Sequence, residues 1–179
     1  IINGNINDIY KNNISNGKKA IYVKGNYNII QSNFITKNTV NDIVVNGKYN
    51  KIIKNNVSNS KKAIQVIGNS NIIQSNKINK TENGIMIKGY ENSIKSNTIV
   101  GKTNSKGYGI YIYKNSKRNT LIKNNVSNFK SGVAVYKGHK TNILKKNTIT
   151  KNNYGLITSQ EFKNKSNKIT KNKINQKVV

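Results

Sequence analysis

Apolar residues recur along this chain in a strict local rhythm. An Asn is followed two positions later by Ile or Leu, five positions later by a second Asn, and seven positions later by Ile or Val. The pattern starts at Asn7, Asn28, Asn50, Asn71, Asn92, Asn119, Asn142 and Asn167, with spacings of 21, 22, 21, 21, 27, 23 and 25 residues. Between copies lies a second signal, a short residue and then two aliphatic positions separated by one. It reads Ala20-Ile21-Tyr22-Val23, then recurs from Asp42, Ala63, Gly84, Gly109, Gly132 and Gly155, with Val178-Val179 as a truncated last copy. Self-similarity at such a period marks a solenoid.

Each copy supplies two inward aliphatic side chains on either side of a corner, as Ile30 and Ile35. The second signal adds two more at the period of a strand, as Ile21 and Val23. One copy cannot bury its apolar face, but stacked copies form a continuous core. The spacing therefore predicts an all-β, single-domain parallel solenoid over residues 1–179. It has about eight coils of 21–27 residues, three short strands per coil and almost no helix, in a column of roughly 38 Å. One inward row is expected at Ile9, Ile30, Ile52, Ile73, Ile94, Leu121, Leu144 and Ile169. The 27-residue spacing predicts a loop over 101–107.

The second Asn of the motif forms a candidate ladder: Asn12, Asn33, Asn55, Asn76, Asn97, Asn124, Asn147 and Asn172. Stacked amides can satisfy one another's donors and acceptors in a buried corner, and Asn tolerates a left-handed backbone. A Gly closes the longer strand at Gly25, Gly47, Gly68, Gly89 and Gly138. Asn-Gly pairs at Asn3, Asn16, Asn46 and Asn83 signal hairpins in other contexts; here they fall at coil corners, so the strands are expected to be parallel.

These motifs resemble the right-handed parallel β-helix repeat family, the pectate-lyase-like and NosD-like solenoids, over essentially the whole chain. The resemblance implies a right-handed coil, three parallel sheets and, where ligands bind, a groove along the outside of one sheet. Members include polysaccharide lyases, hydrolases and epimerases, phage tailspikes and surface adhesins, and the fold alone does not choose among them.

Composition sharpens this picture. The chain has 29 Ile, 3 Leu and 37 Asn and lacks Pro, Cys and Trp; Ile favours strands through its stiff branched side chain. Without Cys, disulfides and thiolate metal sites are excluded. No apolar run reaches the roughly 18 residues of a membrane-spanning helix. The net charge is +27, with +10 over residues 1–90 and +17 over 91–179. Such a field concentrates polyanions, while the absence of any groove-reading module makes nucleic-acid contact nonspecific. The chain begins mid-coil and ends inside a strand. Because open β-helix ends expose unpaired edges, a segment of a longer protein or a unit associating end to end is expected.

Candidate chemistry is sparse. The acids are Asp8, Asp42, Glu82, Glu91 and Glu161, and no two share a register in neighbouring coils, whereas glycoside hydrolysis needs two carboxylates roughly 5–9.5 Å apart. By resemblance, a lyase would use calcium-binding carboxylates with an Arg or Lys base; the one Arg is Arg118. His139 has no metal-ligating neighbours. No catalytic residue, metal or cofactor is assigned.

The surface offers cations and aromatics instead. Outward positions of the longer strands include Tyr22, Lys24, Lys88, Tyr111, Tyr113 and Tyr136, with Lys114 and Lys137 at the edge; these are the candidate ligand-binding residues. A lysine stripe follows the motif's fifth position at Lys11, Lys54, Lys123, Lys146 and Lys171. Glycosylation sequons at Asn13, Asn56, Asn79, Asn125 and Asn164 fit a surface location. The expected function is a non-catalytic extracellular or cell-surface protein binding acidic or neutral glycans of a cell envelope. The competing readings are a polysaccharide-degrading enzyme and a structural stalk or filament.

Overall fold

The computed structural model describes residues 1–136, 141–159 and 166–179. Three parallel sheets run the length of the column, with nine, seven and eight strands among the described residues. Each coil visits them in turn, as in Lys62–Ile67, Ile72–Gln74 and Lys77–Thr81. Every strand pairs with its equivalent one coil away, such as Ile64 with Ile43 and Ile85. Alternation decides the faces: Ile43, Val45, Ile64, Val66, Ile85 and Ile87 point inward with no exposed surface. The expected row from Ile30 to Leu144 is buried, while Ile9 and Ile169, in the outermost coils, are half-buried. No helix occurs among the described residues.

The Asn ladder is present, and each interior rung is saturated. Asn76 Oδ1 accepts from the Asn55 backbone N–H at 2.9 Å and from Asn55 Nδ2 at 3.0 Å. Its own Nδ2 donates to Asn97 Oδ1 at 3.0 Å and to the Ile52 carbonyl at 2.9 Å. Asn33 through Asn147 are buried, and Asn12, at the column's end, is exposed. The motif's first Asn builds a second, parallel ladder at the corner between the first and second sheets. There Asn28 Nδ2 donates to Asn50 Oδ1 at 3.0 Å and Asn50 Nδ2 to Asn71 Oδ1 at 3.1 Å.

Two details of the sequence reading are corrected. The left-handed residue at each rung of this ladder is the one before the Asn, as in Lys11, Ser32, Lys54 and Ser75, with φ of 53° to 56°. The Asn thereby keeps its side chain inward while its neighbour turns the chain and points to solvent. The last motif copy is also displaced by one corner. Asn147 donates to Asn167 Oδ1 at 2.9 Å, and Asn152 donates to Asn172 Oδ1 at 3.0 Å. Lys168–Thr170 accordingly extends the third sheet, pairing with Thr148–Thr150. Asn172 therefore belongs to the third corner and Asn167 takes the rung assigned to it. Lys171 moves with it, leaving the stripe at the second corner and stacking on Lys151 at the third. The motif permits this slip because Asn-any-aliphatic repeats every five residues, so two successive corners carry the same local signal.

The longer strands close on a glycine column. Gly25, Gly47, Gly68 and Gly89 have φ between 138° and 157°, and a Cβ on any of them would lie about 2 Å from the carbonyl oxygen of the glycine one coil below. Only glycine permits this approach. The 27-residue coil splits its extra length between two corners. The pairing offset is 21 residues at Thr98, 25 at Ile110 and 27 at Thr120. Four extra residues thus lie before Tyr108–Ile112, around the expected loop, and two lie after it.

Candidate ligand-binding faces

The outer face of the nine-stranded sheet carries the predicted tyrosines. Its central outward row runs Tyr22, Val44, Gln65, Met86, Tyr111, Ala134 and Ile157, each paired with the next. Val44, Met86, Ala134 and Ile157 are buried although they point away from the core. Tyr111 sits at the centre of an aromatic cluster, with ring centroids 4.6 Å from Tyr113, edge to face, and 5.7 Å from Tyr136. Such geometries suit the ring quadrupole. Sequence reading missed a fourth member, Tyr108, at 4.8 Å from Tyr111. It opens the strand Tyr108–Ile112, three residues before Tyr111, where alternation from Tyr111 predicts the opposite face.

Burial sets the electrostatics of this cluster. Desolvation, followed by a hydrogen bond and electrostatic contact with Tyr108, pushes the Tyr136 phenol up to about 12. Burial also raises Tyr111. Both stay neutral at physiological pH, keeping hydroxyl groups on a half-buried apolar patch.

The remaining predicted residues are dispersed. Tyr22 is four coils from Tyr111, roughly 19 Å at strand spacing, and has Lys19 Nζ over its ring at 5.4 Å. Lys24 lies in that same distant coil, exposed. Lys88 is nearer, since Tyr113 donates its N–H to the carbonyl of Ile87 beside it. Lys114 is exposed immediately after Tyr113. Lys137 lies outside the described residues, as do His139, Glu161 and Asn164. A second aromatic pair was also missed: Tyr27 and Tyr49 stack at 5.0 Å on the first corner, both at left-handed φ. Their single-residue place before the ladder Asn carries no strand alternation to reveal it.

Each described carboxylate except Asp8 is engaged by a neighbouring side chain, Asp42 within its own coil and Glu82 and Glu91 across to the adjacent one. Glu82 meets Lys102 at 2.6 Å, and Glu91 meets Arg118 at 2.9 Å. Asp42 is fully buried within the Asn41–Asn46 strand. Its Oδ1 accepts from Asn38 Nδ2 at 2.8 Å, while Oδ2 lies beside the Ser60 hydroxyl without meeting hydrogen-bond geometry. Burial dominates and raises this carboxyl to about 6. Among the described residues no three His, Asp or Glu gather in a way that could hold a metal ion.

Three parallel sheets, saturated corner amides and an aromatic outer patch define the class: a parallel β-solenoid whose variable chemistry lies on its outer faces. The chain belongs to the right-handed β-helix family, matching the description "Right handed beta helix region" over residues 1–140 and again over 63–178. Comparison with curated proteins and with solved structures gave no match.

Proposed function

We propose that the chain is a non-catalytic β-helix that binds glycans at a cell envelope through the tyrosine-bearing outer face of its nine-stranded sheet. The observation that carries this reading is the cluster of Tyr108, Tyr111, Tyr113 and Tyr136. It combines apolar ring surface with neutral hydroxyls on a rigid sheet, the combination that sugar rings require, with one apolar face and a polar rim. The excess of lysine supports a preference for acidic chains, through a field that raises their local concentration. The dispersal and engagement of Asp42, Glu82 and Glu91 support binding over hydrolysis.

The test is a glycan array at low and high salt, with turnover assays on acidic polysaccharides alongside. Electrostatic binding falls steeply with salt. Replacing Tyr111, Tyr113 and Tyr136 with Ala is expected to remove the portion that salt leaves behind. No glycan bound at low salt favours the stalk reading, and shortened or unsaturated sugars favour an enzyme.

A further inference from the structure

The third corner, between the eight- and nine-stranded sheets, holds a feature the tyrosine face does not use. Its inserted loop, residues 102–107, is gripped from the coil below by Glu82. The carboxylate pairs with Lys102 Nζ at 2.6 Å and accepts from the Lys106 backbone N–H at 2.7 Å, and Ser105 Oγ donates to the Glu82 carbonyl at 2.9 Å. The loop is thereby fixed as a ridge.

Beside this ridge lies a cavity of about 690 Å³ whose wall includes Lys80, Lys102, Lys106, Lys130, Lys151 and Lys173, and no Asp or Glu. All six lysines are exposed. Glu82 is committed to Lys102, so the other five have no ion-pair partner among the described residues. Half-buried Val100 adds apolar surface to the same wall, and Phe129 borders it from the core. Phe129 stands where the next coil has a ladder Asn, donating its backbone N–H to Asn152 Oδ1 at 3.0 Å.

Like charges gathered around one cavity repel, and that cost is relieved by an anion carrying several charges. A lone carboxylate neutralises one ammonium; clustered phosphates or sulfates neutralise several. Lysine serves such groups as a point charge, and the volume falls in the range of ligand sites, roughly 300–1,000 Å³. The coils bearing Lys130, Lys151 and Lys173 are consecutive; Lys130 and Lys173 share a register with Asn153 between them, about 9.6 Å apart at strand spacing, and Lys151 lies two residues before that register in the middle coil.

We propose that this cleft is a binding site for clustered phosphate or sulfate groups on a linear glycan, separate from the tyrosine face. The carrier rests on the glycan reading above; the oxyanion chemistry stands on the cleft itself.

The experiment is calorimetric titration of the full chain with inorganic tripolyphosphate, dextran sulfate, neutral dextran and single-stranded DNA. Two triple variants carry the same charge change: Lys130→Ala/Lys151→Ala/Lys173→Ala in the cleft, and Lys11→Ala/Lys54→Ala/Lys123→Ala on the second corner. The cleft variant should lose affinity for tripolyphosphate and dextran sulfate by about tenfold or more, and the corner variant by less than about threefold, as expected of a local site within a general field. Equal losses overturn the site. Tripolyphosphate binding without dextran sulfate binding overturns the glycan carrier, as does tighter binding of single-stranded DNA of equal charge. The Tyr111→Ala/Tyr113→Ala/Tyr136→Ala variant should bind tripolyphosphate unchanged. If it does not, the two faces are one site and the proposal fails. If that variant also leaves all glycan binding intact while the cleft variant loses its oxyanions, the tyrosine reading falls and the cleft stands.

Discussion

Replacing Asp42 with Ala should make the protein more stable at neutral pH and less stable in acid. Asp42 is a carboxylate with no exposed surface, in a position where the adjacent coils place Ala20 and Ala63, as the pairing of Lys19 with Asn41, Ile21 with Ile43 and Lys62 with Asn41 requires. Burial raises its carboxyl from 3.8 to about 6. Between those two values the native state holds a proton that the unfolded chain has released, so stability falls as pH rises through the window. At about 1.4 kcal/mol per pH unit, the full loss is on the order of 3 kcal/mol above pH 6. Truncation to Ala removes this penalty but also the 2.8 Å hydrogen bond from Asn38 and some packing. Those losses total about 1–2 kcal/mol, and Asn38 Nδ2 keeps the Thr36 carbonyl as acceptor at 3.2 Å. The variant should therefore gain about 1–2 kcal/mol at pH 7.5 and lose a similar amount near pH 4. Urea midpoints of both proteins across pH 4–7.5 measure this, since a shift in midpoint at constant slope reports stability. A difference between the two that stays flat over that range would refute a buried, uncompensated carboxylate.

The ladder and the glycine column make sharper, pH-independent tests. Asn76→Ala leaves the Asn55 backbone N–H and the Ile52 carbonyl without their amide partners, and should cost about 2–4 kcal/mol. Asn12→Ala, at the exposed end, should cost less than about 1 kcal/mol; equal costs in urea melts would mean the ladder does not act through buried hydrogen bonds. Gly68→Ala puts a Cβ 2.0 Å from the Gly47 carbonyl oxygen at a φ of 138°. It should lower the melting temperature sharply, whereas Gly17→Ala, whose nearest neighbour is a side-chain oxygen at 3.2 Å, should be tolerated; a tolerated Gly68→Ala would show that adjacent coils can separate.

The repeat makes most of the fold legible in the sequence. Inward Ile at fixed register, Asn at a corner and a glycine after the long strands of the earlier coils are local signals, and a solenoid repeats local structure, so reading one coil correctly reads nearly all of them. The same locality explains the slip in the last coil. Asn167 and Asn172 carry identical five-residue signals, and only pairing with Asn147 and Asn152 assigns each to its corner. Tyr111, Tyr113 and Tyr136 could be placed together from strand alternation, because parallel pairing converts equal register into adjacency. Tyr108 could not, since it stands three residues before Tyr111 and alternation assigns that position to the opposite face. The sequence alone also could not show that Asp42 is enclosed, that Glu82 is spent on the inserted loop, or that six lysines from five successive coils surround one cavity. Register is a one-dimensional property that a repeat writes into the chain. Burial, ion pairing and cavities depend on which coils lie beside an irregular segment, and that is decided only when the column closes around it.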